Sequence, residues 1–286
     1  MRRIYLFIAA LMVAGANFAQ TDTTKKSGTI DSTNTGSDTI KVGNFIIIKK
    51  HKDSQGKTSE VRVERKPRKP SKLSTNWWIT DIGFANLKDE TIYGSTEADT
   101  YLKTIRAGEK PFTEEDLKLR RGKTSNVNLW IVMQRWSLIK GYLNLKYGVG
   151  LEMFNFRYQN NISYNKNPAY IFRDTVSFSK NKLYASYVSI PFMINVNTQP
   201  GNKKALSFSA GVSAGYLVGS RNKQISNERG KVKTKGDFDL EPFRLAYIGE
   251  LGIGAVRLFG SYSMRPLHEH GLKQYPYSFG LRFSNW

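Results

Sequence analysis

Between positions 205 and 219 every second residue is apolar or aromatic: Leu206, Phe208, Ala210, Val212, Ala214, Tyr216 and Val218. The intervening row, Ser207, Ser209, Gly211, Ser213, Gly215 and Gly219, is small and polar, and only Leu217 breaks it. A period of two means an extended strand, because successive side chains point to opposite faces. The span carries no charge. A strand of a soluble barrel turns its bulky row inward and shows charge to water. An apolar row backed by glycine and serine instead fits a strand with lipid outside and a crowded polar interior.

The same logic recurs along the chain. Residues 77–85 place Trp78, Ile82 and Phe84 on one face and Ile79, Asp81, Gly83 and Ala85 on the other. Residues 126–136 set Val127, Leu129, Ile131 and Met133 against Asn128, Trp130, Val132 and Gln134. Residues 143–153 alternate most cleanly, with Leu143, Leu145, Tyr147, Val149, Leu151 and Met153 opposite Asn144, Lys146, Gly148, Gly150 and Glu152. Further strands are expected at 183–196, 205–219, 243–255, 256–264 and 275–283, which brings the count to eight. The connections 87–125, 158–182, 220–242 and 265–274 are long, whereas those near Ile139, Pro200 and Ala255 are short. Outer-membrane barrels alternate long external loops with short periplasmic turns. The expected architecture is all-β: an eight-stranded antiparallel up-and-down transmembrane β-barrel over 74–286, behind an N-terminal periplasmic arm.

Ahead of the barrel, residues 1–19 read as a secretory signal, with basic Arg2 and Arg3, an apolar core from Ile4 to Val13 and small residues before Gln20. Beyond it no apolar run approaches the ~20 residues of a spanning helix. The chain contains no cysteine, which excludes a disulfide framework. Residues 20–73 form the arm. Its first part, 20–37, is Thr/Ser/Asp-rich and expected to be disordered. Residues 42–49 and 59–65 read as a short hairpin around Asp53-Ser54-Gln55-Gly56, followed by the extended basic linker Lys66-Pro67-Arg68-Lys69-Pro70. Such an arm reads as a solvated tether, or alternatively as a cationic segment whose partners are anionic lipid headgroups or periplasmic proteins. The net charge of +21 invites a nucleic-acid reading, but export and the scatter of the charge over arm and loops argue against one.

In order along the chain stand Tyr187-Val188-Ser189-Ile190-Pro191, Ala210-Gly211 with Gly215-Tyr216-Leu217, a basic polar loop, Gly252-Ile253-Gly254, Tyr262-Ser263 and Gly280-Leu281-Arg282-Phe283. Together they resemble the PorT-like outer-membrane β-barrel domain family, over roughly residue 75 to the end. The resemblance implies an eight-stranded barrel exported to the outer membrane and brings no catalytic residues. Either Phe283 or Trp286 would serve as the terminal insertion signal.

Candidate sites are few. By register Asp81, Lys146, Glu152, Arg244, Glu250 and Arg282 all face inward, where mixed signs point to a network of buried ion pairs, since an unpaired buried charge is costly. Trp77, Trp78, Tyr147, Tyr216, Tyr247 and Tyr277 are expected to form the aromatic girdle. His268 and His270 flank Glu269 in the last long connection and are read as solvated loop residues, with neither a metal site nor a hydrolase assigned to them. Gly252-Ile253-Gly254 sits within a strand, where glycine makes room for neighbours. Asp31-Ser32-Thr33, Asp38-Thr39-Ile40 and Asp174-Thr175-Val176 are weak O-glycosylation candidates. The expectation is a monomeric, non-enzymatic barrel without cofactor or metal, surrounded by outer-membrane lipid, with a structural, surface-interaction or secretion-associated role. The alternatives are a small channel and a lipid-modifying enzyme.

Overall fold

The computed structural model describes residues 72–202 and 205–284, together with the backbone of three strands nearer the N-terminus. These three, β1 (Ser37–Val42), β2 (Phe45–Lys50) and β3 (Glu60–Arg65), form an antiparallel sheet in sequence order. The expected two-stranded hairpin is therefore three-stranded, because Val42 pairs with Phe45 and the pairing continues back to Ser37 against Lys50. The leader at 1–19, the stretch 20–36, the turn at 53–56, the basic linker at 66–70 and Trp286 lie outside the described residues. The chain divides into two compact units, Met1–Pro70 and Ser71–Trp286.

The second unit is a closed barrel of eight antiparallel strands: β4 (Leu73–Asp89), β6 (Ser125–Ile139), β7 (Leu143–Arg157), β10 (Lys180–Asn197), β11 (Leu206–Ser226), β13 (Phe243–Ile253), β14 (Val256–Ser263) and β15 (Gln274–Phe283). Neighbours in the barrel are neighbours in sequence, and β15 returns to pair with β4, from Gln274 against Asp89 to Phe283 against Thr80. No edge is left exposed, which is what lipid demands of a spanning sheet. No described helix is long and apolar enough to cross a membrane.

Alternation holds in most strands. On β10, Val188, Ile190, Phe192, Ile194 and Val196 are exposed, while Ser189 and Asn195 are buried. On β11, Phe208, Val212, Tyr216 and Val218 are exposed, and Ser207, Ser209 and Ser213 are buried. Glycine in the inward rows lets strands close up: a Cβ on Gly211 would collide with the Phe192 carbonyl oxygen.

A bulge corrects the expected faces of β6, and a second irregularity leaves those of β4 as expected. The pairing of β6 with β7 shifts between Trp130 and Val132, so Met133 joins Trp130 inside instead of lying with Leu129 and Ile131. On β4, Trp78 takes a left-handed φ of 57°, and the ladder passes from Trp77–Val132 to Ile79–Trp130. One residue is thus taken out of the period of two, and both Trp77 and Trp78 point outward.

The long connections are folded rather than solvated. They hold helix α1 (Thr96–Tyr101), β5 (Leu102–Lys103), a single 3-10 turn (Glu114–Leu117), β8 (Ile162–Lys166), β9 (Ala169–Arg173) and β12 (Gly230–Lys235). β5, β9 and β8 pair as a small separate sheet, and β12 extends β11 as a hairpin. Ser95 caps α1 by accepting from the Ala98 amide at 3.2 Å. Arg173 donates to Asp116 at 2.8 Å, and Arg229 to Asp174 at 2.8 Å, tying separate connections together.

A closed ladder of this kind resists detergent. The unboiled protein is expected to migrate at a different apparent mass from the boiled protein in a denaturing gel, and to need detergent for extraction. Release into detergent-free buffer would contradict a lipid-facing belt.

Candidate functional site

The inward rows carry the chemistry. β7 ascends and β13 descends, three places apart around the ring. Lys146 and Glu152 on β7 therefore meet Glu250 and Arg244 on β13 in opposite order. Lys146 Nζ lies 2.6 Å from Glu250, and Arg244 lies 2.7 Å from Glu152. Both bridges cross the lumen, since the paired residues are on strands that do not touch through the ladder. Ser209 shares the first, accepting from Lys146 at 3.2 Å, and Ser213 donates to Glu152 at 2.8 Å.

Arg282 joins the remaining groups. It donates to both oxygens of Asp81, directly opposite it in the β15–β4 ladder, at 2.6 and 2.7 Å, and it also contacts Glu250. Asp81 further accepts from the Trp130 indole at 2.8 Å and from Asn128 at 3.1 Å. A carboxylate removed from water is retained only when its lone pairs are satisfied, and Asp81 is fully buried with four donors on it. All six named charges lie inside, and they form two connected groups. A seventh, Arg257, is buried with them and donates to Ser284 at 2.8 Å and Ser207 at 2.6 Å. The alternation in 256–264 pointed to it, since Arg257 lies in the row opposite Val256 and Leu258.

Little space is left between these groups. A cavity of about 10 Å³ lies among Asn128, Trp130, Glu152, Met193, Glu250 and Arg282, roughly room for one water.

Toward the end bearing the long connections, the inward rows turn from polar to aromatic. β7 continues from Glu152 to Phe154, Phe156 and then Tyr158, and β10 offers Leu183, Ala185 and Tyr187. These side chains form one core with Tyr101, Leu102, Phe112, Ile162, Tyr164, Phe238 and Leu267 from the connections. Leu217, the exception in the small row of β11, packs against this core. The barrel is thus filled by ion pairs in its middle and capped by apolar side chains at one end.

His268 belongs to the cap, contrary to the expectation of a solvated loop. It is buried, 5.2 Å from the Tyr101 ring and stacked on Tyr164. Neither ring nitrogen has a hydrogen-bond partner among the described residues. Burial therefore pulls its pKa down to about 3, opposed only by the distant Asp89 carboxylate. Left-handed Phe238 and Asp239 turn the chain there, and the Phe238 carbonyl accepts from Tyr101 at 2.6 Å. His270 is exposed, and the Asp239 carboxylate 3.0 Å away raises its pKa. Asp239, Glu269 and His270 bring ligand-type atoms within 4.8 Å of one another at the surface. The two histidines point to different environments, so they do not chelate as a pair. Neither has a serine hydroxyl as a hydrogen-bond partner among the described residues. Asp174 accepts from Ser163 and from the Val176 amide, which makes its tripeptide part of the folded cap.

The six aromatic residues assigned to a girdle divide between two levels. Trp77, Trp78 and Tyr147 lie near the short turns, Tyr147 opposite Gln134 and Phe192. Tyr247 and Tyr277 flank Tyr262 in one cross-strand row in the half nearer the cap, and Tyr216 packs on Phe243 with ring centroids 5.1 Å apart.

Residues 125–268 match the family model described as outer membrane protein beta-barrel domain, from the start of β6 into the last long connection. No curated protein matches the sequence.

Proposed function

Because the chain belongs to the outer membrane protein β-barrel domain family, and is an integral outer-membrane barrel, we propose that it is a plugged, non-enzymatic member with a structural, surface-interaction or secretion-associated role. The observation that carries this reading is the filled lumen. Two salt bridges span it, a cavity of about 10 Å³ remains between them, and an apolar cap lies above. Eight strands enclose an interior only wide enough for side chains, and here side chains occupy it. Ordered spacing from Tyr187 to Phe283 supports the PorT-like branch within the family. In this reading residues 1–19 direct export, the arm up to residue 73 is periplasmic, and the capped end faces outward. Lipid, not a small molecule, is the surrounding partner.

Planar-bilayer recording of the purified protein tests the plug. The expected result is no steady ionic current at moderate voltage. Stable ohmic openings in the parent protein, unchanged in Glu250→Ala, would mean that the charges line water, and a small channel would replace this reading.

A further inference from the structure

Beyond the apolar belt, β7, β10 and β11 continue toward the cap and β12 joins them. Their ladder sets four cations side by side: Arg157 opposite Lys182, Lys182 opposite Lys223, and Lys223 opposite Lys233. Inward neighbours Phe156, Leu183 and Asn222 are buried, so this row faces outward. Arg221 and Lys235, themselves opposite one another, lie on one side of the row, and Lys180 and Lys231 on the other. None of these eight residues forms an ion pair among the described residues. Their contacts are neutral: Lys182 donates to Asn155 at 2.6 Å, Arg157 to the Ser179 carbonyl at 2.9 Å, and Arg221 lies over the Tyr184 ring.

Like charges directly opposite across strands destabilise a sheet, and four in a row do so repeatedly. Arg173 and Arg229, by contrast, find carboxylate partners within the cap. A row of bare cations at one level is therefore a feature with an external counterpart. Its location identifies that counterpart. On β10 the outward residues run from Lys182 through Tyr184 to exposed Val188 and Ile190, and on β11 from Lys223 through Arg221 to Val218 and Tyr216. The cations sit on the rim of the lipid-facing belt, where a lipid head meets its chains. At about 4.8 Å per strand, the row is roughly 14 Å long, enough for more than one phosphate. Arginine and lysine side chains together bind phosphate oxygens through charge-assisted hydrogen bonds.

We propose that the Arg157–Lys182–Lys223–Lys233 row is a binding site for the phosphate groups of an anionic outer-leaflet glycolipid, whose acyl chains lie along β10 and β11. The proposal rests on the reading above that the capped end faces outward. All four residues of the row belong to the second unit of the chain.

The test uses the full chain, purified in a zwitterionic detergent and stripped of lipid, with diphosphoryl lipid A and its doubly dephosphorylated form as probes. The parent is expected to bind the phosphorylated probe about tenfold or more tightly, a difference of about 1.4 kcal/mol per decade, and to lose the preference as salt is raised. Lys182→Gln/Lys223→Gln/Lys233→Gln should bind both probes alike. Without lipid, the same triple variant should melt at a higher temperature than the parent, because repulsion within the row is relieved. Retention of the parent's phosphate preference by a triple variant with unaltered gel mobility would overturn the site. The absence of native cysteine provides a second arm. Lys233→Cys should react with a membrane-impermeant maleimide on intact cells. Protection from the reagent, with phosphate preference intact in detergent, would overturn the topology and the outer-leaflet source. Labelling together with equal binding of the two probes by the parent would overturn the lipid site alone.

Discussion

Glu250→Ala is expected to destabilise the barrel by about 3–5 kcal/mol. Its carboxylate is the junction of the larger charge group, with Lys146 at 2.6 Å on one side and Arg282 on the other. Removing it leaves two cations facing each other in a space that accommodates roughly one water. Arg282 keeps Asp81, so the principal loss falls on Lys146. This sets an order among variants. Lys146→Met should cost less than Glu250→Ala, because Glu250 still has Arg282. Lys146→Met/Glu250→Met should recover much of the loss, since removing both ends leaves no stranded charge. Urea unfolding in detergent micelles, followed by the gel-mobility shift and by tryptophan fluorescence, reads all three. A cost below about 1 kcal/mol for Glu250→Ala, the range of solvent-exposed pairs, would show that the network stands in water.

The second large effect is acid opening of the cap through His268. Its pKa in the folded protein is about 3, below the ordinary 6.5. Between those values the opened state binds a proton that the closed state refuses, so the closed cap is at full strength above pH 6.5 and weakens as the pH falls. At about 1.4 kcal/mol per pH unit the loss is about 3 kcal/mol by pH 4.5 and about 4 kcal/mol near pH 3, where the closed state itself begins to take up the proton. The paired carboxylates of the cap act lower on the scale: contacts to Arg173 and Thr113 hold Asp116 below the usual carboxylate value, and Ser163, Val176 and Arg229 do so for Asp174. Protection factors of the amides in 92–123 and 158–178, with exchange corrected for its intrinsic pH dependence and measured from pH 7 to 4.5 on the intact barrel, should fall in the parent. His268→Phe retains an aromatic ring between Tyr101 and Tyr164 and should abolish the dependence over that window. An equal fall in protection in His268→Phe would remove His268 as the cause.

Much of this molecule was legible along the chain. Strand number, the antiparallel meander and the inward placement of Asp81, Lys146, Glu152, Arg244, Glu250 and Arg282 follow from a period of two read against lipid. That periodicity is local, so one strand suffices to assign its own faces. A bulge escaped it at Ile131, because one added residue on β6 inverts the assignments beyond it, Met133 among them, without any composition cue. The aromatic cap also escaped, although Phe154, Phe156 and Tyr158 already stood in the inward row of β7. Polar, glycine-bearing connections read as solvent-exposed loops, whereas their scattered aromatics become a core only when four connections converge on one barrel mouth.

Outside the bulged stretch of β6, sequence alone therefore determined which side chains face in and which face lipid, because strand geometry couples each residue to its immediate neighbours. Only the tertiary structure decided which charges meet. Lys146 finds Glu250, Glu152 finds Arg244, and Arg282 joins Asp81 to Glu250 through closure of the ring. His268 becomes buried, and Arg157, Lys182, Lys223 and Lys233 fall into one row, for the same reason: each contact joins residues far apart in the chain. Their energies depend on distances across the barrel and between strands, which no local pattern encodes.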